Sequence, residues 1–452
     1  MTRRSSPAAA GPFRPRSVGG NFAWALSAGL VYAFAQWLVL VAYARLGTME
    51  MVGEFALGLA ITAPVMLLAR MNLRTLQATD ARGDYRCEHY LGLMVLNVLG
   101  GVLVCCVAGL LSGQSAHACL VIALLAVAKG FEALSDSFYG ALQRVERQAL
   151  IARSTIVKSV LSVVFVTLAL WLTGNSLIAV AALGLAWAVV LVCFDVPAYL
   201  REFGGDRPWR RLWGTPWREQ GVHLRSLLGL AYALGITALL SSLRPNVPRY
   251  LLEANFGKAE LGMYAALAYF TALGGRVVQS FGQVMSPRLA RYHAAGDRRR
   301  YGRLLVCFVG GSALVGVCAI AGSALLGRPV LTLFYGAEYA RNLDLFVWLM
   351  AAAALEYVCV SLQIGLIAAR EVRVQAFILV GSILVVVAGS AWWVPSVGPV
   401  GAAWALALGW FVELVCSACL TLRAWRRMAP PAVGPAPVSA AAPVPSRVDT
   451  VS

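Results

Sequence analysis

Between residues 21 and 426 the chain alternates twelve apolar stretches with short arginine-bearing connections. Each stretch is near the ~20 residues that a helix needs to cross a ~30 Å hydrocarbon core. They run roughly 22–43, 52–71, 90–112, 117–139, 154–172, 177–199, 227–254, 261–285, 304–326, 344–366, 375–394 and 401–422. A soluble core could not hold them, because 60% of the residues are hydrophobic and 13% charged, about half the usual charged share of a soluble domain. Backbone polar groups inside a bilayer must be paired within their own segment, so each stretch is expected to be a helix. The expected fold class is all-α: a polytopic membrane protein of about 12 transmembrane helices. Ala42-Tyr43-Ala44 would suit a signal peptidase. The stretch before it exceeds the ~7–15 residues of a cleaved signal, so the first helix is read as retained.

Lysine and arginine fix the expected orientation. With the N-terminus cytoplasmic, 30 of the 38 fall inside, among them four from Arg70 to Arg86, four from Arg144 to Lys158 and six from Arg201 to Arg225. Only Arg45, Lys258, Arg328 and Arg341 fall outside, and Lys129, Arg244, Arg249 and Arg276 lie within spans. Positive residues in short loops are retained inside, so both termini are expected to be cytoplasmic. The net charge of +17 is spread over seven cytoplasmic segments that face anionic head groups, and nucleic acid is not an expected partner. Trp209, Trp213 and Trp217, interleaved with Arg207, Arg210, Arg211 and Arg218, suit an interfacial linker that touches membrane lipids.

Several chemistries are excluded by what the loops lack. The longest connection is 201–225, which leaves no room for a soluble catalytic domain, and no Gly-rich phosphate loop, nucleophile elbow or paired loop carboxylates occur. An enzyme is therefore not expected. Nine of the ten cysteines lie in apolar spans and read as small hydrophobes; Cys87 sits in a connection. The four histidines, His89, His117, His223 and His293, are isolated from one another in sequence and match no zinc spacing, so neither metal nor cofactor is expected.

The sequence also repeats. Ala44-Arg-Leu-Gly47 and Glu50-Met-Val-Gly53-Glu-Phe-Ala56 echo Ala254-Asn-Phe-Gly257 and Glu260-Leu-Gly262-Met-Tyr-Ala265 at an offset of about 210. Gly83-Asp84 echoes Gly296-Asp297, and Glu132 to Gly140 echoes Glu356 to Gly365. Two homologous six-helix bundles facing a central cavity follow, which is a carrier layout. The expected organisation is an N-terminal tail (1–20), a first bundle (21–200), a basic linker (201–225), a second bundle (226–426) and a tail (427–452) rich in Ala, Pro and Val.

Asn246-Val-Pro-Arg-Tyr250, Leu261-Gly-Met-Tyr264, Pro287-Arg-Leu-Ala290 and Gly296-Asp297, with Lys129, Glu132, Ser135-Asp136, Tyr139-Gly140 and Gln143-Arg144, resemble bacterial polysaccharide flippases of the multidrug/oligosaccharidyl-lipid/polysaccharide exporter superfamily. The likeness extends over 21–426 through helix count, topology and repeat. It implies a bacterial inner-membrane carrier that turns an undecaprenyl-diphosphate-linked oligosaccharide from the cytoplasmic to the periplasmic leaflet. Polysaccharide polymerases or glycosyltransferases would be its protein partners. Two departures mark the chain off: it lacks the two additional helices of the peptidoglycan-precursor flippase, and its first helix lacks the acid common in multidrug antiporters.

A diphosphate needs fixed cations in a wet cavity, because an isolated charge at the bilayer centre costs several kcal/mol. Arg244, Arg276 and Lys129 lie about 12–15 residues below the external ends of their spans, roughly 18–22 Å deep at ~1.5 Å per residue. These three, with Arg249, are the expected substrate-binding cations, sited mainly in the second half. Pro245 and Pro248 are expected to interrupt span seven and to hinge it. Glu132, Glu356 and Asp136 are the candidates for coupling or gating, and pairing of Glu132 with Lys129 or of Glu356 with Arg276 is the alternative role. Two rival readings stand beside the flippase: a cation-coupled antiporter of amphiphilic drugs, which calls for a neutral or acidic cavity, and a non-transporting scaffold of a glycan-assembly complex.

Overall fold

A computed structural model describes residues 18–80, 85–204, 207–210, 217–369 and 371–428. Most of the two expected tails, Gly83-Asp84, and Arg211 and Trp213 of the linker fall outside these residues. The chain is helical throughout its long elements: α1 (Val18–Leu46), α2 (Met49–Arg70), α3 (Cys87–Leu111), α4 (Ala116–Arg144), α5 (Gln148–Thr173), α6 (Ser176–Val190), α7 (Trp217–Ala294), α8 (Arg298–Phe334), α9 (Leu343–Ala368), α10 (Val372–Val397) and α11 (Pro399–Arg427). A π turn at Leu191–Asp195 extends α6 into Val196–Glu202. Short polar caps make the tight reversals possible. Asn175 accepts from the N–H of Leu177 at 2.8 Å, Ser115 from Ala118 at 3.3 Å and Asp297 from Arg300 at 2.9 Å, each satisfying an orphan donor of a first turn.

Among the described residues eleven helices are long and apolar enough to cross a membrane, but α7 is long enough to cross twice. Its 78 residues would reach ~117 Å if straight, about four times the hydrocarbon thickness. The chain reverses at Gly257, whose φ of 83° and ψ of −176° lie in a region open essentially to glycine alone. The two arms, 217–256 and 258–294, lie together: Leu252 of the first shares a core with Met263, Tyr264 and Leu267 of the second. Twelve passes result, as the apolar stretches require.

The expected interruption at Pro245 and Pro248 is corrected. The backbone stays helical through both prolines, and Gly257 is the one non-helical residue of α7. Proline's fixed φ of about −65° suits a helix, and what it forfeits is the bond to the carbonyl four residues earlier. Membrane helices tolerate that loss where neighbouring helices surround the freed group.

The helices form two bundles. In the first, α1 packs on α5, and α4 on α2, α3 and α6; in the second, α9 packs on α8 and α11, α10 on α11, and α7 on α9 and α10. The halves meet along α2 and α7, where the two glycines matched by the repeat, Gly53 and Gly262, touch. A Cβ on Gly262 would sit 2.7 Å from the Gly53 nitrogen.

At the end of the molecule away from the termini the halves are locked. Trp37 Nε1 donates to Tyr335 Oη at 2.9 Å. Arg45 donates to the carbonyls of Thr332 at 2.8 Å and Phe334 at 3.0 Å, capping the C-terminal end of α8. Lys258 pairs with Glu54 at 3.1 Å, and Gln114 donates to Glu253 at 2.8 Å. One core runs beneath these contacts, joining Trp37, Tyr43 and Phe55 to Leu252, Tyr264, Tyr335 and Phe346. His89 and His223 are not isolated: their rings stack at 4.5 Å where the start of α7 meets α3.

Candidate functional site: a cationic cavity facing the termini

A polar cavity of 560 Å³ is lined by the terminus-side ends of α1, α2, α4 and α5, by the segment that follows α2, by Met94 of α3, and by Ala238 and Arg276 of α7. Four cations line it, Arg70, Arg74, Lys158 and Arg276, against two carboxylates, Glu132 and Asp136. Its walls are therefore net positive.

Glu132 organises the first-half wall. It pairs with Arg70 at 2.7 Å and Lys129 at 3.1 Å and accepts from Tyr32 Oη at 2.6 Å. Lys129 also sits over the Trp187 ring at 4.8 Å. Asp136, one turn further along α4, pairs with Arg70 at 3.4 Å and Arg74 at 3.5 Å, and Arg74 in turn donates to Gln143 at 3.1 Å. One carboxylate per turn thus aims two guanidiniums along the cavity wall. Arg276 faces this wall from the second half; it is exposed and has no ion pair among the described residues.

Behind the wall lies a buried polar cluster. Lys158, 3% exposed, donates to Ser135 at 3.0 Å and stands 4.0 Å from Asp195. Ser154 bonds both Asp195 and Tyr139. Asp195 ends the π turn of α6, a feature often found at functional positions.

A second cavity of 360 Å³ lies in the second half, lined by residues that include Arg244, Arg249, Tyr264, Glu356, Gln363 and Trp410. Arg244 is consumed there: it pairs with Glu413, donates to Ser382 and lies over the Trp410 ring at 3.5 Å. Glu413 also accepts from Gln363. Glu356 has no ion pair among the described residues.

The four expected cations are therefore not gathered at one place. Arg276 belongs to the larger cavity, Lys129 supports its wall through Glu132, and Arg244 and Arg249 line a separate pocket. The sequence places the cationic site mainly in the second half, whereas three of the four cations lining the larger cavity come from the first. Of the two pairings held as alternatives, Lys129–Glu132 forms, whereas Arg276–Glu356 does not. Span edges alone place Arg70, Arg74 and Lys158 in cytoplasmic connections. The chain leaves the helix between Arg70 and Arg74, at Met71 and Asn72 with φ of 45° and 53°, so no single helical register joins the two.

Two six-helix bundles around a central polar cavity, sealed at one end, define a carrier-type membrane protein. The sequence profile described as polysaccharide biosynthesis protein matches residues 18–293, and the chain belongs to that family. It is 24% identical over 396 residues to the capsular polysaccharide biosynthesis protein CapF of Staphylococcus aureus, covering 87% of this chain and 97% of the relative. Among solved structures it resembles the lipid II flippase MurJ in an inward closed conformation, with a TM-score of 0.67, 12% identity, and 90% and 89% of the two chains covered. It also resembles an inward-facing multidrug resistance MATE family transporter of the MOP superfamily, with a TM-score of 0.60, 13% identity, and 92% and 97% covered. These likenesses show the fold of a multi-pass helical membrane protein shared with those structures.

Proposed function

We propose that the chain flips a polyprenyl-diphosphate-linked oligosaccharide, of the undecaprenyl type, from the cytoplasmic to the periplasmic leaflet during assembly of a cell-surface polysaccharide. The observation that carries this reading is the net-positive 560 Å³ cavity, closed at the far end and lined toward the termini. The diphosphate would be gripped between Arg276 on one half and Arg70 and Arg74 on the other, with the lipid tail left in the bilayer. Guanidiniums suit this task, since they offer planar paired donors to phosphate oxygens. Gripping from both halves also gives the substrate a differential interaction with the closed state, which a carrier needs in order to shift its own equilibrium. Wild-type access would then alternate by parting the Trp37–Tyr335 and Arg45–α8 contacts.

The cationic lining speaks against a cation-coupled antiporter of amphiphilic drugs, and an internal cavity lined from both halves speaks against a scaffold. If a proton couples the cycle, Glu356 suits the task better than Glu132, because Glu132 is already held by two cations and a phenol. The test is the fate of the substrate in cells. Deleting the gene should strand the lipid-linked oligosaccharide on the cytoplasmic leaflet, and normal surface glycan in the deletion strain would refute the proposal.

A further inference from the structure

The pocket in the second half is chemically unlike the cationic cavity. Arg244 is neutralised there by Glu413, which leaves Arg249 as the cation lining it without a carboxylate partner among the described residues, opposite Glu356. Among the described residues Arg249 makes one hydrogen bond, from Nη1 to Asn246 Oδ1 at 3.2 Å, and its Nε is buried with no partner. Beside it Tyr264 is 1% exposed, and its hydroxyl also lacks a partner among the described residues. A buried unpartnered donor is costly and calls for an explanation. Three line this pocket, Arg244 Nε among them, and the two on residues without an ion pair among the described residues point to a ligand that supplies acceptors.

The charges of the pocket are separated. Glu356 has Arg244 and Glu413 as its charged neighbours, whereas Arg249 is surrounded by Tyr264 and Tyr250. One end therefore offers a guanidinium and a phenol. The other offers a carboxylate, with Gln279 and Gln363 also on the walls. A volume of 360 Å³ is in the range of small-ligand clefts, about 300–1,000 Å³. A diphosphate would find two cations against one carboxylate on these walls, and four cations against two carboxylates in the larger cavity.

We propose that this pocket is a glycan subsite for an acidic sugar, with the single sugar carboxylate on Arg249 and Tyr264 and the ring hydroxyls on Glu356 and the glutamines. The inference rests on the flippase reading for its source of glycan and refines it. The flipped oligosaccharide would carry a carboxylated sugar, held in the second half while the diphosphate is held mainly by the first.

Equilibrium binding to the purified full chain in lipid nanodiscs tests it, with D-glucuronate, D-glucose and inorganic pyrophosphate as probes. Glucuronate should bind the wild type more tightly than glucose. Arg249→Gln should weaken glucuronate by about tenfold or more, the worth of a charge-assisted contact, while leaving pyrophosphate binding intact. Tyr264→Phe, which preserves the packing, should weaken glucuronate by a smaller factor and keep the preference over glucose. Equal binding of glucose and glucuronate, or glucuronate binding that survives Arg249→Gln, would overturn the acidic-sugar subsite. Pyrophosphate binding lost with Arg249→Gln would assign Arg249 to the diphosphate and overturn it too. Pyrophosphate that fails to bind even the wild type would count against the flippase reading alone.

Discussion

Gly53→Ala should open the sealed end of the molecule. A Cβ at residue 53 would lie 2.5 Å from the carbonyl carbon of Lys258 and closer still to its oxygen. Carbon atoms pack at about 3.5–4.0 Å, so α2 and the start of the second arm of α7 must part by roughly 1 Å. Overpacking of this kind costs about 1–3 kcal/mol. The cost falls on the closed arrangement, because the contact belongs to the crossing between the halves. An equilibrium biased by that amount shifts by about 5–150-fold. Leu252, fully buried beneath this crossing, serves as reporter. In a background whose ten native cysteines are replaced, Leu252→Cys should react slowly with a membrane-impermeant maleimide, and adding Gly53→Ala should speed labelling by a factor in that range. Gly262→Ala should act alike, and the double variant should fall short of additivity since both glycines share one contact. Unchanged labelling in correctly inserted Gly53→Ala protein would refute the reasoning.

Arg244→Ala should destabilise the protein by about 3–5 kcal/mol by leaving Glu413 buried and unpaired; combining it with Glu413→Leu should restore much of the thermal stability in detergent, and failure of that rescue would deny the pair a structural role. Gly257→Ala should cost about 1–3 kcal/mol, since the backbone there is open essentially to glycine; a melting temperature equal to wild type would contradict it. Replacing Pro245 and Pro248 by Ala should leave α7 continuous and the protein stable, because the chain reverses at Gly257; loss of insertion would show that the prolines shape the bundle after all. Tags in 201–225 and after 430 should be cytoplasmic and tags near Asn175 or Gly336 external, and an external signal from 201–225 would reverse the orientation drawn from the 30-to-4 charge asymmetry.

The number of passes and the repeat were legible because they depend on local pattern: apolar length fixes a crossing, and Gly53 and Gly262 lie at matched points of both halves. Even the contact between those glycines follows from their lack of a side chain. The reversal within α7 was legible as a boundary between two spans, but the prolines drew attention from Gly257, whose backbone angles a sequence does not display. The identity of the cavity wall was harder to read. Arg70 ends α2, and a residue at a span edge counts as a loop residue until packing shows which way it turns. The partner of Arg244 is 169 residues away and that of Tyr32 is 100 away. Depth alone could not choose Glu413 over Glu356, since Glu132, Glu356 and Glu413 lie at comparable levels of their spans. Which charges are spent on each other and which are left for a ligand is a property of the assembled bundles.

The central claim is that this chain moves a diphosphate-linked glycan and that Arg276 grips it. The direct measurement is translocation of a fluorescent polyprenyl-diphosphate oligosaccharide across proteoliposomes containing the purified protein, followed by its protection from an external quencher. Wild-type protein should accelerate translocation well above empty vesicles. Arg276→Ala should abolish the gain while the protein inserts normally, and Arg276→Lys should retain part of it because a point charge replaces a planar fork. Translocation at the wild-type rate in Arg276→Ala, or no translocation by the wild type, would contradict the account.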